Sequence, residues 1–259
     1  MNLTFIGVEG IPMVEPGDDL VGLIDAALAA TGEQLLADDV IVIAQKIISK
    51  AEDRYLDLRT VTPTEEAILL GEEVDKDPRK VQAILDESNE VVRQRPGVLI
   101  VEQRSGFVQA NAGIDQSNIR LGDGDPDDLC LLLPLDSDAS AQRLHATIRE
   151  RHNLEVGIII NDSLGRAWRM GTLGLSIGVA GFTALEDYIG GHDIFGRELL
   201  VTQVAAADEM AAGASLVMGQ TTEKTPVVIV RGYKPREPKE EHRKGVQPLI
   251  RPKEMDMFR

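Results

Sequence analysis

The run Val156-Gly157-Ile158-Ile159-Ile160 is apolar and rich in β-branched residues, as a strand buried on both faces must be, and it gives way abruptly to Asn161, Asp162 and Ser163. Gly165, Arg166 and Arg169 follow. In sheets with helical crossovers, clefts at strand ends are the usual ligand sites. A carboxylate beside a hydroxyl offers oxygen ligands suited to a hard divalent cation. Two arginines just beyond can meet phosphate or carboxylate groups of a substrate. The strand is therefore expected to stop at Asn161 and the chemistry to begin there. The same residue types also make helix caps and surface ion pairs, so this stretch alone does not decide between the two.

Two further polar clusters lie at strand ends. Val40-Ile41-Val42-Ile43-Ala44-Gln45 reads as a central strand running into Lys46 and Lys50, which are candidate phosphate ligands there or simply solvated lysines. Residues 98–103 and 106–110 read as an antiparallel pair leading to Asn111-Ala112-Gly113-Ile114-Asp115-Gln116-Ser117-Asn118. Asp115 with Asn118 can hold a metal and a nucleotide; equally, both side chains can satisfy loop amides. Residues 122–128 superficially resemble a calcium loop but lack the acidic residue at its twelfth position, and they read as a solvated turn. Residues 170–181 carry glycines every three or four positions, which permits close backbone approach. They lack both the dinucleotide fingerprint and the Gly-Lys-Ser/Thr ending of a P-loop.

These clusters need a frame. Residues 3–8 read as a short strand, 10–14 as a rigid apolar bend, and Asp18-Asp19 as an acidic cap before a helix carrying Leu20, Leu23, Ile24, Ala27 and Leu28. Thr62-Pro63-Thr64-Glu65 has the form of a capping box with proline at the first helical position, and Asp77-Pro78 begins a second helix in the same way. Two helices are thus expected between the second strand and the next. An apolar run through Leu133, an amphipathic helix 137–152, an alanine-rich helix 204–217 closed by Gly219 and a strand 227–230 complete the frame. Cys130 reads as a small buried thiol, and His145 as packed or exposed rather than catalytic. Helical crossovers mixed with hairpins place the chain in the α+β class, a mixed sheet with helices.

A formal net charge of -16 and a pI of about 4.7 argue against nucleic-acid binding through a general basic surface. An anionic substrate must then be met locally, by metals, backbone amides and a few placed cations. No apolar run is long enough to span a bilayer and the first residues lack the pattern of a signal peptide, so a cytoplasmic protein without membrane partners is expected. The single cysteine excludes an intrachain disulfide. One domain, or two interwoven subdomains, is expected over 1–233, with a charged, proline-rich extension over 234–259, exposed or draped on a partner.

Five stretches in order resemble the coenzyme F420-0:L-glutamate ligase family, the γ-glutamyl ligases that extend the tail of a deazaflavin cofactor. They are Gly10-Ile11-Pro12 with Pro16-Gly17-Asp18-Asp19-Leu20, Ser49-Lys50-Ala51-Glu52, 112–118, 161–169 and Val217-Met218-Gly219-Gln220. The resemblance implies an unusual α+β fold in an intertwined homodimer, with F420-0 and L-glutamate as substrates. It also implies GTP as the nucleotide and two divalent cations, magnesium or manganese, with help from potassium. Carried over by motif, Asp115 and Asp162 are implied ligands of one cation, and Ser163 and Gln220 of a second. Ile11, Pro12, Met13, Val14, Gln45, Lys46, Lys50, Asn118, Met218, Gly219, Gln220, Thr221, Thr222, Glu223, Lys224 and Thr225 are the implied GTP site. Ser163 stands where the family commonly has threonine, keeping the hydroxyl, and Ala167 where it commonly has proline.

The chemistry agrees with that implication. A carboxylate is a poor acyl donor, so forming an amide requires activation, which phosphorylation to an acyl phosphate supplies. Lys50 is expected to assist the transfer. Charge and position suggest Arg166 and Arg169 for gripping the acceptor's phosphodiester or the incoming glutamate. Two other readings share the site: a ligase of the same fold acting on another carboxylic acid, and a non-catalytic nucleotide-binding protein.

Overall fold

The computed structural model describes residues 2–122, 125–234 and 245–257. Its centre is β2 (Val40–Ala44) in a five-stranded sheet of order β1-β12-β2-β8-β9, formed with β1 (Thr4–Gly7), β12 (Val227–Arg231), β8 (Gly157–Gly165) and β9 (Thr172–Ala180). β2 and β8 run parallel, and the other neighbouring pairs are antiparallel. The apolar runs seen in the sequence explain the order, because side chains of both faces are buried. Ile41, Ile43, Ile158, Ile160 and Ile229 join the core shared with α1 (Leu20–Thr31), α2 (Gln45–Ala51) and α5 (Ser137–His152). The alternate residues Val40, Val42, Ile159, Val228 and Val230 pack with α6 (Ala206–Met218). Burying each such isoleucine is worth about 1.5–3 kcal/mol, so strands apolar on both faces are driven to the middle.

The expectation that the β8 strand stops at Asn161 is corrected. Parallel pairing with β2 ends at Ala44 and Asn161, but β8 continues through Asp162 and Ser163 to Gly165 as a ribbon with β9. Backbone pairing needs no apolar side chains; it is the neighbouring strand that ends. A register shift opposite Ile160 and Asn161 marks the transition. The glycines of β9 serve helix packing: a Cβ at Gly174 would lie 2.5 Å from the Ala211 carbonyl oxygen on α6, and one at Gly178 2.5 Å from that of Ser137 on α5.

A second unit packs α3 (Glu65–Val74) and α4 (Pro78–Asp86) on a three-stranded sheet of β4 (Ser88–Arg95), β5 (Val98–Gln103) and β6 (Val108–Ala110). Val74, Val81, Ile84, Leu99, Val101 and Cys130 share its core. β3 (Tyr55–Asp57) pairs with β7 (Leu129–Leu131). Thus β3 and β4 accompany the two helices expected between the second strand and the hairpin.

Asp77 caps α4 through the Arg79 N–H, with Pro78 in the first turn as expected. The α3 cap is Thr64, not Thr62, and Pro63 precedes it. Thr64 accepts from the Ala67 N–H at 3.3 Å while its own N–H and hydroxyl donate to Gln82 at 2.8 Å. Asp19 occupies the α1 cap position without a side-chain cap bond, its carboxylate accepting from Arg151 at 2.8 Å. His145 is mostly buried, with Nε2 3.3 Å from Glu155.

Of the C-terminal segment, 235–244 and 258–259 lie outside the described residues, as do Asp123 and Gly124 of the expected solvated turn. Residues 245–257 are not simply exposed. Val246 is buried and donates its N–H to Asp138 at 3.1 Å, and Lys253 pairs with Glu90 at 3.2 Å and Glu102 at 3.0 Å. Among the described residues no helix is long and apolar enough to cross a membrane.

Candidate active site

Where β2 ends, four segments close around one cavity of about 660 Å³. The first is α2, which begins at Gln45 directly after β2 and so projects Lys46 and Lys50 from the strand end. The second is the stretch of β8 past its pairing with β2, carrying Asn161, Asp162 and Ser163. The third is the loop 115–120, fixed because the Asp115 N–H donates to the Leu131 carbonyl at 3.0 Å and its carbonyl accepts from the Leu131 N–H at 2.9 Å. The fourth is the loop 218–226 after α6, anchored where the Ala44 N–H donates to the Pro226 carbonyl at 2.8 Å. Ile11, Pro12, Met13 and Val14 complete the wall, with Ile11 and Val14 in the core and Met13 largely exposed.

The segments are tied together by lysine and amide bonds. Lys50, 5% exposed, donates to the Asn118 carbonyl at 2.9 Å, and Asn118 Nδ2 donates to the Thr221 carbonyl at 3.1 Å. Burial and then the neighbouring Lys46 push the Lys50 ammonium to a lower pKa, against the opposing pull of Asp115. Gln45 is buried and donates to the Ser49 hydroxyl at 2.8 Å. In the fourth segment Gly219 takes φ 71° at the end of α6, and a Cβ there would lie 2.2 Å from Glu223 Cδ, so only glycine fits. Glu223 itself accepts from the Thr221 N–H at 2.8 Å, which holds its carboxyl below the usual range and staples the loop.

The carboxylates define the chemistry. Lys46 Nζ lies 2.5 Å from Asp115 Oδ2. Asp162 has its carboxyl pushed up to about 6, first by desolvation and next by the charge of Asp115, despite a 2.7 Å bond from the Ser163 N–H to Oδ1. A carboxyl raised by burial and by the charge of a second carboxylate marks a site where added positive charge is favourable. Asp115, Asp162, the Ser163 hydroxyl and the Gln220 amide are all oxygen donors, which fits magnesium or manganese. Among the described residues there is no group of three or more His, Cys, Asp or Glu side chains that could hold a metal.

The cavity therefore gathers every residue expected for the nucleotide and the cations. It does not gather Arg166 and Arg169. Both stand exposed beyond Gly165, and Arg166 donates to the Gly171 carbonyl at 2.9 Å across the turn between β8 and β9. Sequence reasoning missed Arg120 and Ser117, which also line the cavity, although both flank Asn118. Asn161, where the chemistry is expected to begin, also lines the wall. That buried amide donates to the Ser215 hydroxyl at 3.2 Å and approaches Met218 Sδ at 3.5 Å, joining β8 to α6.

Fold and site together define an α+β protein that collects carboxylates and lysines at the carboxyl end of a parallel strand pair. The match to the F420-0:γ-glutamyl ligase family model covers residues 10–232, and the chain belongs to that family. It is 46% identical over 259 residues, the full length of both chains, to a coenzyme F420:L-glutamate ligase of Methanothermobacter thermautotrophicus. It is 41% identical to one from Methanopyrus kandleri, covering all of this chain and 99% of that one. A relative of the same description from Methanocaldococcus jannaschii is 45% identical over 85% of this chain and 84% of its own.

Proposed function

We propose that this chain is a GTP-dependent ligase that joins L-glutamate through an amide bond to the carboxylate of F420-0, adding one or more γ-linked glutamates. The observation that carries the reading is the meeting of Asp115, Asp162, Lys46 and Lys50 with the 218–226 loop in one cavity. Family membership and the printed descriptions of the relatives support the choice of substrates.

Lys46, Lys50 and Asn118 bind and orient the triphosphate, and the 218–226 loop encloses the nucleotide. Asp115 and Asp162, with Ser163 and Gln220, hold two divalent cations, magnesium or manganese, with potassium assisting. When bound, the cations neutralise phosphate charge during transfer. The γ-phosphoryl group leaves GDP and bonds to the F420-0 carboxylate, giving an acyl phosphate. The glutamate amine then attacks the acyl carbon, phosphate departs, and the amine loses a proton as the amide forms. The cavity walls keep the acyl phosphate from water. Arg166 and Arg169 bind acceptor or glutamate outside the cavity.

We further propose a homodimer. Met170, Ile194, Phe195 and Val201 are exposed on the β8–β9 turn and on the loop between β10 (Glu186–Asp187) and β11 (Gln203–Val204), and a second copy would cover them.

Purified protein with F420-0, L-glutamate, GTP and manganese is expected to yield glutamate-extended products by mass spectrometry, dependent on GTP. GTP binding without product would favour another acid or a non-catalytic role, and no GTP binding would overturn the site.

A further inference from the structure

At the end of β2 two lysines, Lys46 and Lys50, stand beside two carboxylates, Asp115 and Asp162. The ammonium groups are used differently. Lys50 is buried and turned to the Asn118 carbonyl, whereas Lys46 contacts Asp115 Oδ2 at 2.5 Å and its charge reaches Asp162 as well. Among the described residues that enclosed Asp115 oxygen has no hydrogen-bond partner, so the ammonium is what neutralises it. The same oxygen is one that a cation on Asp115 needs. Side-chain exposures of 28% for Lys46 and 25% for Asp115 leave the lysine room to swing away.

We propose that Lys46 is a placeholder for the divalent cation: it neutralises the carboxylates while cation and nucleotide are absent, is displaced from Asp115 when the cation binds, and turns to the phosphates. The inference rests on Asp115 and Asp162 being the cation ligands put forward above. Its electrostatic consequence is cooperativity. A divalent cation added while Lys46 and Lys50 stay charged makes the cavity more positive by two charges, which opposes the cation alone and attracts a polyphosphate. Without the cation, the carboxylates oppose the nucleotide. Each ligand therefore raises the affinity of the other, by the same factor.

The test is Mn²⁺ titration of the full chain followed by electron paramagnetic resonance, first without nucleotide and then with GDP. Lys46→Gln is expected to bind Mn²⁺ about tenfold tighter than the wild type without nucleotide, the release of one competing ion pair. Lys46→Arg, which keeps the charge, is expected to stay at the wild-type affinity. GDP is expected to tighten Mn²⁺ binding strongly in the wild type and weakly in Lys46→Gln. Lys46→Met serves if the glutamine variant fails to fold by circular dichroism. Equal or weaker Mn²⁺ affinity in the charge-free variants would overturn the placeholder alone, provided Asp162→Asn abolishes binding. Mn²⁺ binding that ignores Asp162→Asn, or is absent throughout, would overturn the cation site and the placeholder with it.

Discussion

β2 has an acidic residue associated with each end, and the two are handled in opposite ways. At its start Asp39, 1% exposed, is saturated: Arg231 donates Nε at 2.9 Å and Nη2 at 2.8 Å, one to each oxygen, and the Leu36 N–H adds a bond at 2.9 Å. That clamp joins β12 to the turn before β2. Beyond the other end, among the described residues, Asp115 pairs with Lys46, and Asp162 accepts from the Ser163 N–H while facing the charge of a second carboxylate. A saturated carboxylate fastens strands. An undersupplied pair is left ready for charge that arrives from outside, and it is costly to keep.

Substitutions at the two ends should therefore fail in different ways. Asp162→Asn is expected to lower ligation by about a thousandfold while the protein stays folded, measured as the initial rate of glutamate addition. Near-normal turnover would remove Asp162 from the chemistry. Asp39→Ala should instead cost about 3 kcal/mol in denaturant unfolding, because Arg231 loses both oxygens of its partner, with activity per folded molecule preserved. The two ends also differ in pH response. Asp162 titrates at about 6 in the folded chain against an ordinary 3.8, so the native state holds a proton that the unfolded chain has released between those values. Its contribution is thus fully present below about pH 4 and is lost as pH rises through about 6. In chelator-treated buffer, Asp162→Asn should exceed the wild type in stability by up to about 3 kcal/mol above pH 7, and by little at pH 4. Lys50→Met should weaken GTP binding by about tenfold in calorimetry. The smallest effect is expected from Arg169→Ala, with GTP affinity within about twofold of the wild type and any change confined to the KM of acceptor or glutamate.

The polar end of β2 was the legible half of this contrast. Runs such as Val40–Ala44 are apolar at every position, and only a central strand buries both faces, so the polar residues that follow them had to lie at a sheet end. The surface units were less legible. β4 reads Ser-Asn-Glu-Val-Val-Arg-Gln-Arg and is interrupted by register shifts, so no alternation of apolar residues announces it. The α3 start was misplaced because Thr62 and Thr64 both suit a cap, and only the distant Gln82 selects the second. Arg166 and Arg169 read as near Asp162 only if a strand ends where its apolar residues end, and β8 does not. Pairing with β9 carries them along the ribbon and out of the cavity. The Asp39–Arg231 clamp, 192 residues apart in sequence, had no local signal at all.

β12 lies between β1 and β2, although it comes from the last sixth of the chain. β1 and β2 therefore have no direct pairing with each other, and both wait for a strand made long after them. A chain cut before Val227 would leave β1 unpaired and one edge of β2 open, a template for aggregation. Closure of the sheet, and with it of the cavity at the end of β2, consequently comes long after β1 and β2 are made. An assembly so dependent on distant pairing should fold slowly and as a unit.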